Sequence, residues 1–265
     1  MKKYPILIVI PHGGYKVPEE FAEHAIAGDL ELLLSADTCA NELFCADEFC
    51  AAVLNTHISR LFIDVDRAPL DLPPRKFDGV IKKETIFGKD IFPPDTFPDD
   101  LALAALLRRY YFPFHDTMRK IATSGEVSLI IECHTVHAVG PRNSIDRNRP
   151  RPIVSIQNKT EKDGSIIETA PESLARELAA SFKKSFSSEE SATENPFVVY
   201  ESPAQGELMR RHSGAAPYLR LNLSRGLFLN DAHFNYDYGK IDQIRIGELR
   251  TKTHQALSRF AGKVF

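Results

Sequence analysis

Two runs of apolar, largely β-branched residues each end in a histidine, and no other feature of the chain restricts its fold so tightly. The first is Pro5–Ile6–Leu7–Ile8–Val9–Ile10–Pro11–His12, followed by Gly13 and Gly14; the second is Ser128–Leu129–Ile130–Ile131–Glu132–Cys133–His134. Runs of this kind read as strands covered on both faces, as inside an α/β sheet. Ligands of such sheets gather outside the carboxyl ends of the strands. Imidazoles at two strand ends can therefore meet in one crevice, and a metal ion is the commonest reason to bring two histidines together. Glycines after His12 let the backbone approach a ligand without a side chain in the way. Glu132 and His134, two positions apart on a strand, share a face. Glu132 can then orient the imidazole through its other ring nitrogen, or form a purely structural link. Hydrolytic zinc sites use three protein ligands plus water, so a carboxylate is expected to complete the set.

The rest of the chain alternates strands and helices. Apolar spacing predicts helices over Glu19–Ala27 and Asp37–Cys50, and strands over Ala51–Ile58 and Leu61–Val65. Asp66 to Asp100 reads as an irregular surface insertion over the sheet. A long helix follows over Asp99–Ser124, with a kink expected at Pro113. Further on come a strand at Ile153–Gln157, a helix at Glu172–Phe186, strands at Pro196–Tyr200 and Pro217–Ser224, and a last helix from Ile241 to Ala261. Ser187–Glu194 reads as a solvated loop. The expected fold is one α/β domain over residues 1–265, with a mixed, mostly parallel central sheet and helices on both faces.

Composition excludes some functions. A formal charge of −3 argues against nucleic-acid binding, which normally needs a basic excess. The arginine-rich stretch holding Arg142, Arg147, Arg149 and Arg151 lacks interleaved aromatics and reads as an anion-attracting rim. No run approaches the ~20 apolar residues of a membrane span. Pro11 and the glycines cut short the apolar start, and no small-residue cleavage site follows, so a cytoplasmic protein is expected. The four cysteines form no C-x-x-C pair and read as free thiols in a reducing compartment.

Five segments carry a resemblance when taken in order. They are Pro11–His12–Gly13–Gly14 with Pro18; Asp37 ahead of Glu42–Leu43–Phe44; Ser59–Arg60 with Ile63–Asp64–Val65–Asp66–Arg67; Glu132–Cys133–His134–Thr135; and Asn222–Leu223–Ser224–Arg225–Gly226–Leu227–Phe228. Over roughly residues 5 to 230 the chain resembles the N-formylglutamate amidohydrolase family, itself related to zinc carboxypeptidases and to aspartoacylase and succinylglutamate desuccinylase. The resemblance implies a zinc-carboxypeptidase-like fold and a Zn2+ ion held by His12, Asp37 and His134. Glu19 and Glu20 are lesser candidates for the carboxylate, and Asp37 also reads as a helix N-cap.

The implied activity is hydrolysis of the amide of a small anionic N-acyl amino acid such as N-formylglutamate, by a zinc-activated water attacking a carbonyl polarised by zinc and Arg60. Arg67 would clamp a substrate carboxylate, a task suited to a permanently charged, bidentate guanidinium. Arg211 or His212 of the Gly206–Gly214 segment, together with Arg225, would also touch the substrate; solvated surface charge is the equal alternative for Arg211 and His212. The alternative for Asp64, Asp66 and Arg67 is a structural ion-pair network.

Three positions depart from the family pattern: Tyr15 stands where carboxypeptidases carry a glutamate, Asp66 replaces an asparagine, and Asn222 replaces the glutamate that moves the proton. Asn222 cannot exchange a proton, and general acid–base help is worth ~10²–10⁴ in rate. Glu201 and Glu207 are candidate substitutes. A non-catalytic binding homologue is the rival expectation.

Overall fold

In the computed structural model, which describes residues 3–141, 144, 146–189, 191 and 193–265, the chain opens with β1 (Tyr4–Ile10), α1 (Asp29–Ser35), α2 (Ala40–Phe44) and β2 (Cys50–Asn55). Then come α3 (Asp100–Leu106), α4 (Phe112–Ala122), β3 (Leu129–Val136), β4 (Val154–Gln157), a β5–β6 hairpin (Lys159–Lys162, Ser165–Glu168) and α5 (Glu172–Ser185). β7 (Phe197–Val199), α6 (Glu207–His212), β8 (Tyr218–Ser224) and α7 (Gln243–Val264) complete it. Met1, Lys2, Arg142, Glu190 and Ala192, on which parts of the sequence reading fell, lie outside the described residues.

The sheet order is β2-β1-β3-β8-β4-β7. β2, β1, β3 and β8 run parallel, whereas β4 pairs antiparallel with β8 and parallel with β7. This is the expected mixed, mostly parallel α/β sheet. Alternation along β1 sorts its side chains into two cores. Ile6, Ile8 and Ile10 join residues of α2, α5 and α7 on one face; Leu7 and Val9 join residues of α3, α4 and α6 on the other. The α7 helix shows how sequence sets an element. The Asp242 carboxylate accepts from the N–H groups of Ile244 and Arg245 at its start, and Ile246, Leu249, Thr253, Ala256, Leu257 and Phe260 form one buried stripe.

Several expectations shift. The long helix from Asp100 is interrupted by a π turn at Leu107–Tyr111, just before Pro113, whose missing N–H disturbs the i to i−4 ladder. Glu19–Ala27 is only a 3-10 turn over Glu19–Phe21, and the helix forms instead at α1, where the Glu31 carboxylate accepts from Gly28 N–H. The Asp37–Cys50 helix shrinks to α2 because Cys39 sits at φ 58° and Cys45 is already extended.

Leu61–Val65 is not a strand. Its apolar residues are fully buried, but Phe62 and Ile63 both donate N–H to Ser59 O, the bonds of a tight turn. The insertion from Asp66 does lack regular structure, yet Val80, Ile81, Ile91 and Phe92 anchor it in the second core. Glu189, read as part of a solvated loop, is instead held by Arg245 and Lys252 of α7. Among the described residues no helix is long and apolar enough to cross a membrane.

Candidate active site

The carboxyl ends of β1, β3 and β8 open into a cavity of about 900 Å³. His12 leaves β1 on a backbone tied down twice: Asp37 N–H donates to His12 O at 2.9 Å, and Asn41 Nδ2 donates to Gly13 O at 2.9 Å. Gly14 is required by a close approach, since a Cβ there would lie 2.3 Å from the carbonyl carbon of His57. These constraints turn the His12 ring toward His134 at the end of β3, with 5.1 Å between ring centroids.

Both imidazoles are buried, and their nitrogens divide in the same way. His134 Nε2 donates to Glu132 Oε1 at 2.6 Å, and His12 Nε2 to Asp64 Oδ1 at 2.8 Å. The Nδ1 atoms converge on Asp37: His134 Nδ1 lies 2.7 Å from Asp37 Oδ2 and His12 Nδ1 lies 3.6 Å from it. The second distance is too long for a hydrogen bond, so His12 Nδ1 is a buried nitrogen without a partner among the described residues. Buried polar atoms are seldom left unpaired.

His12, Asp37 and His134 each offer one ligand atom, all within 4.8 Å of one another. Two nitrogens and one carboxylate oxygen are a donor set suited to zinc, and a carboxylate behind each histidine fixes ring orientation as metal-ligating histidines require. A second grouping, Asp66–Glu132–His134, is equally close. There the Arg220 guanidinium already sits between the acids, with Nη2 2.6 Å from Glu132 Oε1 and 2.9 Å from Asp66 Oδ2. The first grouping fits a cation; the second already holds one.

Asp37 is no helix cap, because α2 has no side-chain cap. Desolvation opposes its ionisation, but His134 and His12 outweigh that and hold its carboxyl well below the ordinary range. Asp64, with no exposed surface, accepts from five donors: His12 Nε2, Asp66 N–H, Arg60 Nε and Nη2, and Lys82 Nζ. Burial resists its charge too, and Arg60, Lys82 and His12 keep it ionised. Glu132, also desolvated, is held down to about 2 by Arg220, His134 and Tyr218, whose hydroxyl donates to Oε2 at 2.7 Å. Asp66 goes the other way, raised by burial and by Glu132 despite Arg220.

Arg60 lines the cavity with its Nε and Nη2 anchored on Asp64, while Nη1 lies 4.0 Å from Asp37 Oδ1. Arg67 also lines it, but is bound to Asp78. Arg225 reaches the wall, yet its Nε and Nη1 donate to Thr135 O and Leu34 O, so it braces the Asp37 loop rather than offering a free fork. Burial lowers its pKa to about 10. Asn222 faces the cavity in register with His134, donating Nδ2 to Ser155 Oγ at 3.1 Å.

Other expected residues lie elsewhere. Arg211 is not among the cavity-lining residues; Glu207 holds it at 2.8 Å and its guanidinium stands over the Tyr111 ring. His212 pairs with His115 in the second core. Glu207 is taken by Arg210 and Arg211, Glu201 by Lys159, and Glu19 and Glu20 by Arg109 on the surface. Of the arginine-rich stretch, Arg151 reaches the cavity, held by Asp146.

Sequence reasoning missed Lys82, Asp78 and Arg220 as members of the site. Lys82 is buried, pulled below its ordinary pKa by desolvation against the favourable pull of Asp64 and Asp78. Nothing in its sequence neighbourhood marks a buried lysine.

Comparison with known proteins bears on the family and the fold. The family model described as N-formylglutamate amidohydrolase matches residues 4–229. Among solved structures, the chain is similar to an N-formylglutamate amidohydrolase of Ralstonia eutropha, at 16% identity and a TM-score of 0.71, over 100% of this chain and 96% of that one. It is also similar to a gene product of Agrobacterium tumefaciens, at 17% identity and a TM-score of 0.58, over 97% of this chain and 91% of that one. No curated protein sequence matches.

Proposed function

Because this chain belongs to the N-formylglutamate amidohydrolase family, we propose that it hydrolyses the amide of a small anionic N-acyl amino acid, N-formylglutamate being the first candidate, with one zinc ion held by His12, Asp37 and His134. The observation that carries this reading is the matched pair of imidazoles, each braced by a carboxylate at Nε2 and turned through Nδ1 toward Asp37, with His12 Nδ1 otherwise orphaned. A zinc ion at such a site supplies Lewis acidity and lowers the pKa of water toward neutrality.

The chain's own groups do the rest. Arg60, pinned by Asp64, keeps Nη1 available beside the histidine pair to donate to the substrate carbonyl oxygen. Arg67 and Lys82 make the adjoining wall cationic and draw a carboxylate to it. Arg225 and Thr135 fix the loop that carries Asp37; Thr135 Oγ1 donates to Thr38 O at 2.9 Å. Asn222 orients what lies next to His134 by hydrogen bonding and moves no proton. The four cysteines are free thiols, which suits a reducing cytoplasm.

Asn222 favours a second reading, in which the protein binds such a molecule without cleaving it. Assays of zinc-loaded wild type and Asn222→Glu with N-formylglutamate separate the two. Slow hydrolysis by wild type that rises ~10²–10⁴-fold in the variant supports the hydrolase with a missing proton carrier. Binding without turnover in either protein supports the second reading. A protein that neither binds nor cleaves any N-acyl amino acid contradicts both.

A further inference from the structure

Arg67 is assigned to the substrate carboxylate in the reading above, yet its donors already serve its own chain. Nε donates to the Asp78 carbonyl oxygen at 3.0 Å, Nη2 to Asp78 Oδ2 at 2.5 Å, and Nη1 to Asp66 O at 3.1 Å. The Asp78 carboxylate collects two further cations: its Oδ1 lies 2.7 Å from Lys82 Nζ and 3.9 Å from Arg60 Nη2. Three cations thus surround two carboxylates. Asp64 has no exposed surface and is saturated by five donors. The Asp78 side chain is 61% exposed and stands at the wall of the cavity.

The backbone around Asp78 is fixed by contacts that do not involve its side chain. Val80 N–H donates to Asp71 O at 2.7 Å, Asp64 N–H to Val80 O at 2.7 Å, and a Cβ on Gly79 would lie 2.1 Å from Asp71 O. With the carboxylate swung into solvent, the Asp78 carbonyl would still hold Arg67 Nε, so the guanidinium would stay aimed at the cavity. A carboxylate that is 61% exposed is re-solvated as it leaves, which offsets the ion pairs it gives up.

We propose that Asp78 is a built-in stand-in for the substrate carboxylate: its side chain fills the Arg60–Arg67–Lys82 subsite until an incoming carboxylate takes its place. The proposal rests on the functional reading above and adds a specificity-determining residue to it. The exchange keeps the local charge constant, one carboxylate for another. A ligand with an amide in place of the carboxylate cannot replace Asp78 in kind. Apparent affinity for anions is reduced by the fraction of molecules in which Asp78 occupies the subsite.

The test uses glutarate as the anionic probe and glutaramide as its neutral counterpart, with binding to wild type, Asp78→Ser, Asp78→Asn and Arg67→Gln measured by calorimetry. An exposed charge pair is worth ~1 kcal/mol, so Asp78→Ser is expected to bind glutarate roughly fivefold tighter or better. Asp78→Asn should shift the same way, glutaramide should gain nothing, and Arg67→Gln should lose glutarate binding. Equal or weaker glutarate binding by both Asp78 variants, with Arg67→Gln still defective, overturns the proposal: Asp78 is then a brace for Arg67, and the proposed function stands. Glutarate binding indifferent to Arg67→Gln overturns the carboxylate subsite itself, and the stand-in with it.

Discussion

Asp64→Asn probes the centre of the charge network without replacing any of the residues assigned to the metal. Asp64 is fully buried and anchors Arg60 and Lys82, which are themselves largely withdrawn from solvent, while its other oxygen holds His12 Nε2 at 2.8 Å. An asparagine of the same shape removes the negative charge and presents an N–H₂ group to donors. Removing one partner from a buried ion pair costs ~3–5 kcal/mol because the remaining charges stay buried. Two cations are left short here, although Lys82 keeps Gly79 O and Asp78 as acceptors. The lower half of that range, about 3 kcal/mol, is therefore expected. That is a large share of a typical stability of ~5–15 kcal/mol. Urea unfolding of metal-free protein, followed by circular dichroism, measures it without linkage to bound metal. Adding Lys82→Met to Asp64→Asn should recover part of the loss, since one stranded charge is gone. A loss under ~1 kcal/mol in the single variant, or no recovery in the double, refutes the claim that Asp64 is the keystone of these cations.

Other consequences are open to direct measurement. His115 and His212 hydrogen-bond through Nδ1 and Nε2 at 2.9 Å, and burial holds them down to about 3 and about 4. Since both folded values lie below the unfolded ~6.5, the unfolded chain binds more protons between them; the stability is complete above about pH 6.5 and lost as pH falls toward 4, at up to ~1.4 kcal/mol per pH unit per histidine. Denaturation curves from pH 7 to 4.5 should show that slope in wild type and a flatter one in His115→Gln/His212→Gln; equal slopes would refute it. Glu132→Gln should weaken zinc binding ~10–100-fold in competition with a chelator; an unchanged affinity would mean that Glu132 does not support His134. Gly14→Ala, whose methyl would press on the His57 carbonyl carbon, should cost ~1–3 kcal/mol by thermal unfolding, and an unaltered melting temperature would contradict the packing argument.

What the sequence revealed follows a physical pattern. β1 and β3 were legible because strands buried on both faces must be apolar throughout, and the polar residue ending each run is then conspicuous. α5 and α7 were legible through their one-sided stripes. Leu61–Val65 misled because total burial produces the same apolar string in a turn as in a strand; only its hydrogen bonds tell them apart. The metal-facing residues could be named, and so could Glu132 behind His134, two positions away on the same strand; partners distant in sequence could not. Arg220 meets Asp66 across 154 positions, and the Asp78–Arg67–Lys82 grouping lies in an irregular segment without periodicity. Arg211 was given to the substrate by the family resemblance, and a charged stretch carries no hint of its direction; in the fold α6 turns it toward Glu207 and Tyr111.

The central claim is that His12, Asp37 and His134 share one cation through two Nδ1 atoms and a carboxylate oxygen. Anomalous diffraction at the zinc edge, on crystals of zinc-loaded protein, addresses it most directly. The account predicts a single strong peak ~2.0–2.2 Å from His12 Nδ1, His134 Nδ1 and an Asp37 oxygen, with Glu132 and Asp64 still on the Nε2 atoms. A peak ligated through Nε2, one centred on Asp66 and Glu132 with Arg220 displaced, or none between the two rings would contradict it.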